Sequence, residues 1–392
     1  MMSTPLTEQE LHNLAMNIVG KQLEADGFEF MGVNSKPKRN PQFVCLKDKK
    51  LFFIVVRSVL HPQDPREYDM SLMQNSESQW VKNISSGSAL GTSYNITYLA
   101  TSELSFETEI DSLFQVLNQS MSTYIPTSDI SRINAGDSTI VVDDMFREVF
   151  ELSGKIFEAT EGYFDPTVGV LVNAWGFGPG KELEMDSIKV DSLLDYVGFN
   201  KVAIKADNRI KKSDPAIYFD FNAIAKGYAV DQLAVLLRNK GITDFLIEVG
   251  GELVAQGENR IKEKRWVVAI DDPMMEESRT YKRTLYMKDI AMASSGNYRK
   301  FKIDPETGAK YVHTIDPKTG FTRNSNILAA SVLASNCATA DAFATAFMAM
   351  DLEKTKTILA QHKELDGYII YLDPEGNVLE YMTNGFKENV LE

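Results

Sequence analysis

Only two cysteines, Cys45 and Cys337, occur in 392 residues, and they lie far apart. That excludes a disulfide scaffold and a cysteine-based metal site, and it suits a reducing compartment. Histidine is scarce as well, with four residues. No apolar run is long enough to cross a bilayer, so membrane insertion is not expected. The longest, LFFIVVRSVL at 51–60, is interrupted by Arg57 and fits a buried strand. The opening MMSTPLTEQELHNLAM has neither a basic leader nor an apolar h-region, so the expectation is a cytoplasmic protein. Positive charge is in deficit: the net charge is −14, which disfavours nucleic acid and anionic membranes as partners. An anionic ligand would need a local cation, a backbone nest or a helix N-terminus. There is no Walker A sequence and no Gly-x-Gly-x-x-Gly opening a helix after a strand, so neither a P-loop nor a Rossmann site is supported.

What is present describes a soluble globular chain, 44% hydrophobic and 24% charged, long enough for one large domain and a small one. Residues 7–26 read as an amphipathic helix with Leu11, Leu14, Ile18 and Leu23 near one face. Three strand-like runs follow, FEFMGVN, QFVCL and LFFIVVR, with KDKK as the turn between the last two. This small α/β module faintly resembles the core of the PD-(D/E)xK nuclease fold. The place of the catalytic Glu-x-Lys there reads Val55-Val56-Arg57, so no metal-dependent nuclease is expected. The polar, proline-bearing stretch 61–79 reads as a linker, dividing the chain into 1–80 and 81–392.

Beyond it strand-like and helical runs alternate. YNITYLA is a strand, FETEIDSLFQVLNQSM a helix, STYIPTSDISRIN a loop, and DDMFREVFELSGKIFEATEG a helix stopped by Gly162. IYFDFNAIAKGYAVDQLAVLLRNKGI passes from strand to helix at Asp220 to Asn222, with Ala225, Ala229, Leu233 and Leu236 as its buried stripe. DFLIEVGGELVAQG and RWVVAID read as a pair of strands, then DIAMASSG and YVHTID as two more, and AASVLASNCATADAFATAFMAM turns from strand into a small-residue helix. Strands outnumber parallel crossover units, which predicts an α+β fold with mixed, mainly antiparallel sheet.

Candidate chemistry starts in ATADAFATAFMAM, 338–350, where Asp341 is the only acid among small, apolar and threonine side chains. A buried carboxylate needs a partner or a cation, and Thr345 lies one turn away on the same face. The pair offers two hard oxygens suited to Mg²⁺, or else Asp341 caps the helix and Thr345 bonds back to a carbonyl; spacing leaves both open. Asp220 reads as an N-cap, and with Lys226 it could also hold a polar ligand at the helix N-terminus. In EGYFDPTVGVLVNAWGFGPG, Trp175 and Phe177 could stack on a flat heterocycle while Gly176 lets backbone amides approach, or simply fill core beside a tight turn. ASSGNYRKF places Ser294, Ser295, Gly296 and Arg299 around a turn. KYVHTIDPKTG sets His313, near neutral in pKa, before an Asp-Pro-x-Thr-Gly turn; in isolation it reads as a turn histidine.

The ordered set GTSYNITY, STYIPTSDISRIN, GYFDPTVG with WGFG, DFNAIAKGYAVD, IEVGGE, ASSGNYRKF, HTIDPKTG and ATADAFATA resembles the ApbE family of FAD:protein FMN transferases over roughly residues 84–385. The resemblance implies cleavage of the FAD pyrophosphate with Mg²⁺, attachment of FMN to a Thr or Ser hydroxyl of an acceptor protein, and release of AMP. The implied acceptor is a flavin-carrying subunit of a redox complex. It assigns Mg²⁺ to Asp341, Thr345 and the Ala223 carbonyl; FAD to Leu90, Tyr124, Trp175, Gly176, Phe177, Asp220, Lys226 and Thr314; and the role of base to His313. Leu90 stands where the family usually has Met, and Ser294 where it has Thr, both mild changes. Hydrolysis of FAD by water, or flavin carriage without turnover, would use the same pocket.

Overall fold

A computed structural model describes residues 6–37, 41–58, 80–272, 281–296, 301–303, 310–312, 314–323 and 325–391. His313 and Arg299 lie outside the described residues. The chain divides into two compact units, 1–81 and 82–392.

In the first unit, α1 (Glu8–Ala25) starts in a capping box: Thr7 accepts from Glu10 N–H while the Glu10 carboxylate accepts from Thr7 N–H. Strands β1 (Glu29–Val33), β2 (Phe43–Lys47) and β3 (Lys50–Ile54) form an antiparallel sheet in that order. Asp48 and Lys49 both have positive φ, which twists the β2–β3 turn to suit the hairpin. The helix buries His12, Met16 and Leu23 and leaves Leu14 and Ile18 exposed, so its core face is rotated from the one the leucine spacing suggests. Met16 and Leu23 pack with Phe43, Cys45 and Val56, and this partner set, rather than leucine content, decides the face.

The second unit is built on an eight-stranded sheet. Its strands are β4 (Val81–Ala89), β5 (Thr92–Ala100), β8 (Asp244–Val249), β9 (Glu252–Gln256), β12 (Ile290–Gly296), β15 (Ile327–Ala334), β16 (Asp366–Leu372) and β17 (Val378–Met382). They lie in the order β17-β16-β15-β12-β9-β8-β5-β4, and neighbours from β5 to β17 pair antiparallel. Small two-stranded pieces accompany it: β6 (Val202–Ile204) with β7 (Ile210–Lys212), β10 (Trp266–Asp271) with β11 (Tyr281–Met287), and β13 (Phe301–Ile303) with β14 (Lys310–Val312). The helices are α2 (Glu107–Met121), α3 (Asp129–Asn134), α4 (Asp144–Ala159), α5 (Gly169–Ala174), α6 (Ser187–Leu194), α7 (Ala225–Asn239), α8 (Cys337–Ala349), α9 (Leu352–Gln361) and α10 (Asn384–Asn389). The α+β class with antiparallel sheet is as expected.

Several local expectations change. The run DFLIEVGGELVAQG is itself a hairpin, because Gly250 and Gly251, at φ 61° and 102°, make the turn that joins β8 to β9. RWVVAID instead pairs with β11. The hydroxyl-rich loop at 122–134 contains α3, capped by Ser128 on Ser131 N–H. Helix α7 begins at Ala225 rather than at Asp220 to Asn222. The Asp220 carboxylate accepts from Asn222 N–H two residues on, folding the chain into a turn before the helix, and residues 217–221 contribute only a bridge from Tyr218 to Val168. The buried face of α7 is Gly227, Tyr228, Ala229, Val230, Leu233, Ala234 and Leu237, with Ala225 and Leu236 only half-buried. Ser294, Ser295 and Gly296 end β12, paired with Ser331, Ala330 and Ala329, and residues 297–300, which complete the expected turn, lie outside the described residues.

Helix α8 is enclosed because it packs on β12, β15 and α7 at once. Small side chains allow that approach. A Cβ on Gly227 would stand 2.4 Å from the Cys337 carbonyl oxygen and 2.8 Å from Ala338 Cα, so α7 and α8 touch backbone to backbone there. Among the described residues no helix is long and apolar enough to cross a membrane.

Candidate active site

The crossing of α7 and α8 brings charged groups into the interior. Asn336 caps α8 on Thr339 N–H, and Asp231 of α7 accepts from the N–H groups of Cys337 and Ala338. The cap is therefore already provided, and Asp341 is not it. Instead Asp341, 2% exposed, accepts from Gly227 N–H of α7 at 3.1 Å. Burial pushes the Asp341 carboxyl up, opposed by the Lys226 ammonium and the Gly227 N–H. Thr345, one turn on, approaches the Ser295 hydroxyl of β12 at 3.3 Å rather than a helix carbonyl.

Lys226, in the first turn of α7, pairs with Glu252 at the start of β9, Nζ to Oε1 2.6 Å. Burial works against the Lys226 charge, but the carboxylates of Asp341 and then Glu252 overcome it and raise the ammonium pKa. Glu252 is 2% exposed; burial raises its carboxyl pKa, against the pull of the Lys226 ammonium. Its second oxygen, Oε2, is enclosed and finds no hydrogen-bond partner among the described residues. The sequence did not single out Glu252. Its only local sign was an acid directly after Gly250-Gly251, which also describes an ordinary hairpin residue.

A second group lies around the loop 164–180. Asp165 accepts from Thr167 N–H and hydroxyl and from Phe199 N–H, and the Pro166 carbonyl accepts from Asp220 N–H. A Cβ on Gly169 would meet Asp220 Cβ at 3.1 Å, so the start of α5 and the turn before α7 are in close contact. Asp220 is buried and its carboxyl is raised by burial, with the bonds from Asn222 pulling the other way. Tyr124, 61% exposed, has its hydroxyl pKa raised by partial enclosure and by the Asp220 charge beside it. Trp175 donates through its indole N–H to the Gly320 carbonyl at 2.9 Å, and with Phe177 it packs against Leu171, Val197 and Ile315. Gly176, at φ 72°, turns the chain between these two aromatics. They thus brace the segment that follows His313. Within it Thr314 is buried, its carbonyl accepting from Arg323 N–H, and the Asp316 carbonyl and carboxylate close the turn on Gly320 N–H and Lys318 N–H.

Leu90 occupies the β4–β5 turn at φ 52°, a strained conformation for a non-glycine residue. Two residues later Thr92 and Ser93 lie against Gly250, so this turn borders the hairpin that carries Glu252. The structure therefore gathers Lys226, Asp341 and Thr345 about the α7–α8 crossing, with Ala223 in the turn before α7. Tyr124 lies near Asp220 in the turn before α7, while Trp175 and Phe177 pack against Ile315, next to Thr314.

Among the described residues there is no group of three His, Cys, Asp or Glu side chains at metal-binding spacing. The donors at hand are a carboxylate, a hydroxyl and a carbonyl, all hard oxygens, and Asp341 keeps acceptor capacity beyond its one backbone donor. That donor set fits Mg²⁺.

Residues 90–369 match the ApbE family model, and residues 9–87 match a model described as a domain of unknown function (DUF8840). Proteins named FAD:protein FMN transferase from Haemophilus influenzae and Vibrio cholerae are 33% and 34% identical over 317 and 312 residues. These alignments cover 77% of this chain in each case and 90% and 91% of the relatives. The solved structure of the flavin transferase ApbE from Vibrio cholerae superimposes with a TM-score of 0.70 at 32% identity, covering 79% of this chain and all of that one. An ApbE protein from Thermotoga maritima gives 0.68 at 25% identity, covering 80% of this chain and 100% of that one. The chain belongs to the ApbE family.

Proposed function

We propose that the chain transfers FMN from FAD to a Thr or Ser hydroxyl of an acceptor protein, releasing AMP. The observation that carries this reading is the buried Asp341 carboxylate, held at the α7–α8 crossing beside Lys226 and the turn of Ala223. In this reading Asp341, Thr345 and the Ala223 carbonyl hold Mg²⁺, which when bound neutralises charge on the pyrophosphate oxygens. Lys226 adds a fixed positive charge on the same side. Trp175 and Phe177 wall the flavin, Gly176 lets backbone approach it, and Leu90, Tyr124, Asp220 and Thr314 complete the FAD contacts.

His313 takes the proton of the acceptor hydroxyl as its oxygen attacks the FMN-side phosphorus; the P–O bond to AMP breaks and AMP leaves. Transfer in preference to hydrolysis requires water to be kept from that phosphorus. The acceptor is a flavin-carrying subunit of a redox complex, presenting the hydroxyl on an accessible segment.

The test is incubation with FAD and MgCl₂, with and without an acceptor domain, following AMP release and acceptor mass. AMP with an FMN-sized gain in acceptor mass is expected; AMP with no gain on any acceptor would overturn transfer. Asp341→Ala is expected to abolish Mg²⁺-dependent AMP release.

A further inference from the structure

Glu252 is absent from every assignment the family resemblance makes, yet it is the direct ion-pair partner of Lys226. It enters the interior because Gly250 and Gly251 turn the chain tightly enough for β9 to begin at once. One carboxylate oxygen holds Lys226 Nζ at 2.6 Å, and the other is enclosed without a partner among the described residues. An enclosed, half-satisfied carboxylate is costly, and a fold that only needed to neutralise Lys226 could have used the nearby Asp341.

The arrangement makes sense as an unfinished charge set. Among the described residues Asp341, Glu252 and Lys226 form one charge set, two carboxylates about one ammonium, which with all three ionised carries a single net negative charge in a buried place; the neighbouring Asp231 is a further buried carboxyl, engaged by the N–H groups of Cys337 and Ala338. A divalent cation converts that to a single net positive charge, matched to a pyrophosphate anion. Without Glu252, Lys226 would be free to turn to Asp341 and neutralise the carboxylate that the cation needs. We propose that Glu252 is a positioning residue of the cation site, drawing Lys226 away from Asp341 and supplying the second negative charge that makes the cluster accept a divalent cation.

This rests on the reading of Asp341 as a metal ligand, and the experiment separates the two. Mn²⁺, which favours the same hard oxygens as Mg²⁺, is titrated into the full chain without FAD, and free Mn²⁺ is read by electron paramagnetic resonance. Glu252→Gln is expected to weaken Mn²⁺ binding by about tenfold or more, whereas Lys226→Met, which deepens the net negative charge, does not weaken it. The double variant restores the single net negative charge and returns to within about threefold of the wild type. A purely structural Glu252 would leave the double variant as weak as Glu252→Gln, and that result would overturn the proposal. Equal binding by Glu252→Gln and wild type, with Asp341→Ala inactive in binding, would overturn this inference alone. Unchanged binding in Asp341→Ala, or none in the wild type, would overturn the metal reading and this inference with it. Should Glu252→Gln not fold, Lys226→Met decides: a tenfold loss of Mn²⁺ affinity there contradicts the charge count.

Discussion

Asp165 shows how a single buried residue anchors a site it does not enter. Its carboxylate takes three donors from Thr167 and Phe199, and the next residue's carbonyl holds Asp220 N–H. Burial nevertheless dominates and raises its pKa from 3.8 to about 6. The folded state therefore binds this proton more tightly than the unfolded chain. The resulting stabilisation is full below about pH 4 and is lost as pH rises through about 6. Asp165→Asn removes that dependence. The stability of the variant relative to wild type, from urea unfolding, is expected to rise by about 2–3 kcal/mol between pH 4 and pH 7. A pH-independent difference would show that burial does not govern this carboxyl. The same contrast between local and distant partners explains what the sequence disclosed. Asp341 was legible because a lone acid in a run of Ala, Phe and Met has no local means of being satisfied. Glu252 was not, because its burial depends on Lys226 and on strand pairing, and neither is visible within its own turn.

At the scale of elements, the α7–α8 crossing is the feature on which the site depends, and Gly227 is its narrowest point. In a solvent-facing helix Gly→Ala stabilises by about 1 kcal/mol. At Gly227 the added methyl meets backbone atoms of Cys337 and Ala338, which cannot rotate away as a side chain would. Overpacking then outweighs propensity, and Gly227→Ala is expected to destabilise by about 2 kcal/mol or more and to lengthen the Gly227 N–H to Asp341 bond. Chemical denaturation checks the first effect and Mn²⁺ affinity the second; a variant as stable as wild type would mean that the helices can separate freely. Helix α8 itself could be read from composition, since only small and apolar residues suit a helix packed on three sides. The start of α7 could not, because Asp220 makes the same side-chain to backbone bond in a turn as in a cap, and only the chain beyond it distinguishes them. The β8–β9 hairpin was missed for a related reason: paired glycines within an apolar run fit a strand as well as a turn until pairing partners are known.

For the molecule as a whole, each of the two units closes a core of its own, and the cores differ greatly in size. The first unit buries Met16, Leu23, Phe43, Cys45 and Val56, while the core of the second runs from Tyr94 to Ile369 across the sheet and its helices. Small domains bury too little apolar surface to be more than marginally stable. Unequal cores of this kind predict two unfolding steps rather than one. Every residue assigned to flavin, metal or proton transfer belongs to the second unit, and so do Glu252 and Ser295. A chain beginning at Trp80 is therefore expected to keep Mg²⁺-dependent AMP release from FAD within about twofold of the full chain, a change of less than about 0.5 kcal/mol in barrier. In calorimetry it should lose the lower transition while its main melting temperature stays within about 2 °C. A single shared transition in the full chain, or a truncated chain that folds without turning over FAD, would show that residues 1–79 contribute directly to the catalytic unit.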